Sequence, residues 1–475
     1  MEVDLIVGLE IHVQLKTKTK MFCSCKSDYF EKNPNTNVCP VCLGLPGALP
    51  RLNRESLVQA IKVGRALNFE INEKSRFDRK NYMYPDLFKG YQITQFEFPI
   101  NTNGYINLSS GKRINIYRAH LEEDTAKSLH EKDCTLLDAN KAGMPLLEIV
   151  SSPELTSKEE AKEYAQKIYN IVKFIDASDC DMEKGQMRFD INVNLNIKEK
   201  EKEFRTPIVE IKNLNSFRSL ERAIEYEQER QLEEFMEKRI VLEKGNKVTR
   251  GWNDTLGKTI FQRNKEESDD YRYFPDPDIP PISLDSDFIN KALDKIDILP
   301  QDALDKLISE YKLPKESAEF LTEDKIFYNL FSDISKKYTN YSTLANWIIT
   351  DVLGIINQSG SDINCLNKGK FVEILNAIDD KKISVQSGKE ILKESILNKD
   401  FNVSENINSS LLVSDDSILD NTIKKIIDEN SDLVEKYLSG KEGVLSFLIG
   451  QVLKEMKGRA DPNVVKEKLL LFIKK

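Results

Sequence analysis

The 475-residue sequence is poor in histidine, with only His12, His120 and His130. No serine or cysteine nucleophile stands out beside a histidine base, so an acyl-enzyme or glutaminase mechanism has little support. Long apolar runs are missing as well: none reaches the ~18 residues that a membrane span needs. The start, Met1-Glu2-Val3-Asp4, lacks the charged-then-apolar plan of a secretory signal. The expectation is a soluble cytoplasmic chain with no membrane partner. Net positive charge is also lacking: 69 Lys plus Arg against 78 Asp plus Glu leave −9. That balance argues against a general nucleic-acid coat, whose affinity comes from phosphate neutralisation, but leaves room for a local basic face. Seven cysteines, odd in number and four of them clustered, argue against a disulfide framework. There is no internal repeat.

What is present suffices for a real core, with 40% hydrophobic and 31% charged residues. Length suggests about three domains at ~150 residues each. Val3, Leu5, Val7, Leu9, Ile11, Val13 and Leu15 alternate with other residues, the strongest strand signal in the chain. Met187, Phe189, Ile191, Val193, Leu195 and Ile197 repeat it, followed by a charged hairpin tip over 198–203 and a returning strand over 208–212. Thr156 and Glu159 read as a capping box for a helix whose buried face is Ala161, Tyr164, Ala165, Ile168, Ile171, Val172 and Ile175. A second helix is expected over about 216–238. Four prolines within residues 274–281 read as the exit from a first domain. Beyond them the pattern is helical: Leu304, Leu307 and Ile308 share one face, as do Phe371, Ile374, Leu375 and Ile378. The polar stretch 402–410 reads as a linker.

The first strand carries Glu10, His12 and Gln14 on the face opposite its apolar residues, and the second carries Arg188, Asp190, Asn192, Asn194 and Asn196. A solvent-facing polar strand explains the first pattern alone; two such faces, the acidic cluster after Arg118-Ala119-His120 and a carboxylate inside the apolar run Pro145–Val150 suit a hard cation such as magnesium. A buried Glu148 needs a partner cation or must be neutral. Residues 77–86 and 269–274 are dense in cations and aromatics that could neutralise phosphates and stack on a base. Gly251 to Thr259 imitates a P-loop, but five residues separate its glycines where four are required, so Lys258 reads as a hairpin lysine. Cys23-x-Cys25 and Cys39-x-x-Cys42 form two knuckles, thirteen residues apart, that can close a tetrahedral, structural zinc site. Cys134, Cys180 and Cys365 read as small buried residues.

Residues 7–15 (Val-Gly-Leu-Glu-Ile-His-Val-Gln-Leu) resemble the opening signature of the family of aspartyl/glutamyl-tRNA amidotransferase B-subunits, as do the segments 77–82, 120–124, 145–150, 210–216 and 270–275 in order along the chain. The helical remainder resembles the family's tail, including 450–452 and 457–462. The resemblance implies an α+β fold: a glutamine-synthetase-like cradle domain with an antiparallel sheet (1–290), an all-α helical domain (291–405) and a small helical tail (406–475) that contacts tRNA through Lys454, Lys457 and Arg459. It implies ATP-dependent phosphorylation of the side-chain carboxylate of Glu-tRNA(Gln) or Asp-tRNA(Asn), then amidation by ammonia. An amidase (glutaminase) A-subunit supplies the ammonia, and a small C-subunit completes a heterotrimer. The family's magnesium site maps onto Glu10, His12, Glu123, Glu148 and Asp190, with Arg79, Lys80, Tyr82, Arg188 and Lys212 facing ATP or substrate. Phe189 and Ile191 depart from the family pattern but fall on the buried face. Some members lack the four cysteines, which supports a structural role for zinc. The alternatives are a non-catalytic tRNA-binding component, or a small-molecule ligase, which would leave the basic segment 454–459 without a purpose.

Overall fold

In a computed structural model the described residues are all but 265–267, 412–415, 440, 442, 457–459, 461 and 474–475. They divide into two compact units, Met1–Ala303 and Leu304–Lys475.

The first unit is built on a ten-stranded sheet. Its strands are β1 (Glu2–Gln14), β2 (Glu70–Ile71), β3 (Asn101–Asn107), β4 (Arg113–Glu123), β5 (Pro145–Ser151), β6 (Met187–Glu199), β7 (Lys202–Arg205), β8 (Val209–Leu214), β9 (Val248–Asn253) and β10 (Lys258–Asn264). The spatial order is β10-β9-β8-β6-β1-β5-β4-β3-β2, with β7 on β6, and all pairs are antiparallel except β8 with β9. The long central pair β1 and β6 bears out the two alternating runs. Leu5 through Val13 and Met187 through Ile197 bury their odd-numbered side chains under helices α2 (Lys158–Phe174) and α3 (Phe217–Lys238), while α1 (Arg54–Ala66) packs on β3 and β4. Each such aliphatic burial is worth about 1.5–3 kcal/mol, which pins the register, since a slip of one residue would put every polar side chain in the core.

Several local expectations are corrected. The α2 cap is Ser157, whose hydroxyl accepts from the Glu160 N–H at 3.1 Å, while Glu160 reaches back to the Thr156 N–H at 2.9 Å. The box thus lies one residue beyond Thr156 and Glu159, in step with the buried face of α2. The strand returning from the 198–203 hairpin is β7, and β8 pairs with β6 further along. The segment that imitates a P-loop is, as expected, a hairpin, the one joining β9 and β10. Phe274–Pro275 does not leave the first unit at once: it pairs with the strand Asp78–Asn81.

The second unit is helical. Residues 402–410 are no linker: Val403–Ser409 is a helix, capped by Asn402 and docked by buried Val403 and Ile407 against Lys368–Asp379 and Val385–Leu397. One apolar pair at i, i+4 outweighs a polar composition. Phe371, Ile374 and Leu375 are buried as expected. Leu419, Ile423, Leu448, Val452, Val465 and Leu469 belong to a separate hydrophobic cluster nearer the C-terminus. Among the described residues no helix is long and apolar enough to cross a membrane.

Candidate active site

Residues directly opposite one another in an antiparallel sheet project to the same side. Register therefore arranges the polar face in rows. Arg188, His12, Glu148 and His120 form one row across β6, β1, β5 and β4. Asp190, Glu10, Val150 and Arg118 form the next, and Gln14, Leu146 and Glu122 lie on the other side.

Two acidic clusters result. In the first, the Nε2 of His12 lies 3.4 Å from Glu148 Oε2 and 3.6 Å from Glu122 Oε1, and the Nε2 of His120 lies 3.6 Å from Glu148 Oε2. These separations are long for hydrogen bonds but suit ligands sharing one hard cation, whose neighbouring donors at about 2.1 Å from it stand about 3 Å apart. In the second, Glu10, Asp190 and Glu210 bring ligand atoms within 4.8 Å of one another. Asn192 donates to Glu10 at 2.9 Å, Lys212 to Asp190 at 2.7 Å and Thr249 to Glu210 at 2.7 Å.

The electrostatics of the first cluster are set by two buried carboxylates facing two imidazoles. Burial opposes a charged His12, but the Glu148 carboxylate outweighs it and holds the imidazole above its ordinary range. Burial drives His120 down to about 3, so it is neutral. Burial would likewise push Glu148 up, yet the imidazoles of His120 and then His12 hold it well below the usual carboxylate range. Burial, then the charge of Glu148, pushes Glu122 up to about 7. A cation between these groups would relieve the carboxylate repulsion, so the donor set fits magnesium.

Four of the five expected magnesium ligands share this face, split between the clusters: His12 and Glu148 in one, Glu10 and Asp190 in the other. Glu123 does not join them. It projects to the opposite side, where it accepts from the Ile93 N–H at 3.0 Å and pairs with Lys89. Glu122, passed over in the sequence, takes its place. The reason is a bulge: Val150 faces Arg118 but Ser151 faces Ile116, so Tyr117 is an extra residue in β4. Before it Ile114 and Ile116 are buried; after it Ala119 and Leu121 are. That change of parity in the apolar residues was the available signal.

The two aromatic, cationic segments meet. Phe274 pairs with Arg79, and Asn81 Nδ2 donates to the Arg272 carbonyl at 2.8 Å. Arg79 is committed to Asp276 and Asp278, each at 2.8 Å. Arg188 pairs with Asp124 at 3.1 Å, and Lys212 with Asp190 and Glu210. Lys80 instead sits in an aromatic cage, 4.7 Å from the Tyr271 ring centre and 5.9 Å from that of Tyr82. Burial opposes its charge, but Tyr273 and the Glu122 and Glu148 carboxylates hold the ammonium above its ordinary range. Tyr273 stacks on Phe96 at 4.0 Å between ring centres.

The four thiols of Cys23, Cys25, Cys39 and Cys42 also converge within 4.8 Å. Cys39 and Cys42 Sγ lie 3.8 Å apart, matching the roughly 3.8 Å between sulfurs of tetrahedral zinc. Cys180 is buried as expected, but Cys134 is exposed and Cys365 half-buried. Lys454 is exposed on the helix Gly443–Glu455; Lys457 and Arg459 lie outside the described residues.

Paired acidic clusters on a sheet face, flanked by cations and stacked aromatics, have the donor chemistry to hold hard cations and to meet anionic groups. Residues 5–290 match the family model described as GatB/GatE catalytic domain, and 329–471 the one described as GatB domain. Curated relatives named as the B-subunit of aspartyl/glutamyl-tRNA(Asn/Gln) amidotransferase align along nearly the whole chain. The protein of Pseudothermotoga lettingae is 41% identical over 476 residues, 98% of each chain. That of Persephonella marina is 42% identical over 484 residues, all of both chains. That of Treponema denticola is 42% identical over 476 residues, 98% of this chain and 96% of its own. The chain belongs to the family of aspartyl/glutamyl-tRNA(Asn/Gln) amidotransferase B-subunits.

Proposed function

We propose that this chain is the amide-forming component of a glutamine-hydrolysing, ATP-dependent carbon–nitrogen ligase acting on mischarged Glu-tRNA(Gln), Asp-tRNA(Asn) or both. The observation that carries the reading is the convergence of His12, Glu122 and Glu148 beside Glu10, Asp190 and Glu210 on one sheet face. The runner-up, a non-catalytic tRNA-binding role, gives this buried charge no task.

The aminoacyl carboxylate attacks the γ-phosphorus of ATP while the bond to the β,γ-bridging oxygen breaks, its electron pair leaving with ADP. Ammonia then adds to the carbonyl carbon of the mixed anhydride and phosphate departs, leaving the amide. Anion attacking anion requires charge screening. His12, Glu122 and Glu148, with Glu10, Asp190 and Glu210, would hold magnesium, which supplies that screening when bound. Lys80, caged by Tyr271 and Tyr82, is placed to meet phosphate oxygens, and the Phe96–Tyr273 stack offers a surface for a base. Of the three cations expected from the sequence to contact ATP or substrate, Lys212 fixes Asp190 and Glu210 of the second cluster, while Arg188 fixes Asp124 and Arg79 fixes Asp276 and Asp278. Zinc at the four cysteines is structural, since four thiolates leave no open position. The domains at 1–290, 291–405 and 406–475 would act as cradle, helical domain and tRNA-contacting tail. Ammonia would come from a separate amidase chain, with a third, small chain completing a cytoplasmic heterotrimer.

Reconstitution with an amidase partner tests this: each mischarged tRNA should be converted to its amide with ATP consumed. ATP cleavage dependent on mischarged tRNA should disappear in Glu148→Gln; normal turnover by that variant would refute the assignment.

A further inference from the structure

The cations around the acidic face differ in one respect. Arg79, Arg188 and Lys212 each lie within 4.0 Å of a carboxylate. Arg118 does not: among the described residues no carboxylate pairs with its guanidinium. One amino group donates to the Phe96 carbonyl at 3.0 Å, the guanidinium carbon lies 5.6 Å from the Phe96 ring centre, and Nε is buried without a partner. It stands in the Asp190–Glu10–Val150 row, one row from His12 and Glu148. Rows two residues apart on a strand are about 7 Å apart, within reach of an arginine side chain. Its aromatic neighbour Phe96 is the ring that carries Tyr273.

A buried guanidinium donor with no acceptor costs free energy unless a ligand completes it. Once cations neutralise the two acidic clusters, Arg118 and Lys80 remain as charge without a counterion. A planar, permanently charged fork suits the non-bridging oxygens of a phosphoryl group in a way that an ammonium does not.

We propose that Arg118 is a catalytic residue that binds the transferred γ-phosphoryl group of ATP. This rests on the function proposed above. Two N–H groups of Arg118 hold non-bridging oxygens as the carboxylate oxygen bonds to phosphorus and the bond to ADP breaks. Arginine keeps its protons throughout. The contact strengthens as negative charge gathers on those oxygens, so it acts on kcat more than on KM for tRNA.

The test uses the complex reconstituted with its partner chains, ammonium chloride as nitrogen donor, and ADP release dependent on mischarged tRNA as readout. Arg118→Met should lower kcat at least about 100-fold, the scale of losing one transition-state donor, with its melting temperature near that of the parent. Arg118→Lys should recover only part of the loss. An Arg118→Met enzyme within about threefold of the parent kcat overturns the proposal. So does a loss in melting temperature with kcat retained, which would make Arg118 a peg for the Phe96 carbonyl. Should Arg118→Met not fold, Arg118→Lys decides: a parental kcat overturns the two-pronged contact. Glu148→Gln runs in parallel. If it stays active, the reading of the whole face fails and takes this proposal with it; if it alone is inactive while both Arg118 variants work, only the role of Arg118 is lost.

Discussion

The Nζ of Lys20 lies 3.7 Å from the Sγ of Cys42. Lys20 is 0% exposed, and its ammonium also donates to the Asn37 carbonyl at 2.9 Å and the Ala139 carbonyl at 3.4 Å. A fully buried lysine needs negative charge nearby, and four thiolates around zinc carry a net charge of about −2. The hydrogen bond with Cys23, together with Lys20, pulls the Cys42 thiol down to about 5.

Lys20→Met should therefore release zinc to a chromogenic chelator about 10–100 times faster than the parent, the usual cost of losing an outer partner of a metal ligand. Unchanged release would deny the lysine any part in holding the metal.

The bulge at Tyr117 separates the two adjacent glutamates. Glu122→Gln should weaken binding of Mn2+, a spectroscopic substitute for magnesium, by at least about tenfold. Glu123→Gln should shift it little, because its carboxylate faces Lys89 and Ile93. Electron paramagnetic resonance titration compares them; equal losses would place both glutamates at the ion.

Asp124 is buried between Arg188 at 3.1 Å and Lys141 at 2.7 Å. Burial would raise its carboxyl pKa, but Arg188 first and Lys141 second bring it below the ordinary value. A depressed folded-state pKa means stability that is complete above the unfolded value of about 4 and is lost as pH falls through the folded one. Asp124→Asn should cost on the order of 3 kcal/mol at neutral pH, and its melting temperature should fall less on acidification. A parallel pH profile in parent and variant would exclude this pair as a source of acid sensitivity.

Removing residues 411–475 deletes the cluster around Leu448 and Val452. If this tail contacts tRNA, kcat/KM for mischarged tRNA should fall at least about tenfold, with a salt dependence shallower than the parent's. Equal kcat/KM would remove the tail from tRNA recognition.

Much of the face was legible because β1 and β6 are long and strictly alternating: parity alone set Glu10, His12 and Asp190 apart from Ile11 and Ile191. In β4 the choice of Glu123 rested on the family resemblance alone, whereas the parity of buried Ala119 and Leu121 beyond the bulge points to Glu122. The fate of the cations was not legible, because which arginine finds a carboxylate depends on partners far along the chain. Arg79, Arg188 and Lys212 looked free in the sequence and are committed, whereas Arg118 looked like part of an acidic strand end and is not. Residues 402–410 misled for another reason, their composition hiding a two-residue apolar stripe.

Arg79 meets Asp276 across 197 residues of chain. On the ribosome, the amino-terminal strands emerge long before Asp276 and Phe274 can dock beside them. Until then Arg79 has no counterion from that segment and Tyr273 is not yet on Phe96. The contacts of Arg79 with Asp276 and of Phe96 with Tyr273 therefore form only after nearly the whole first unit has been made.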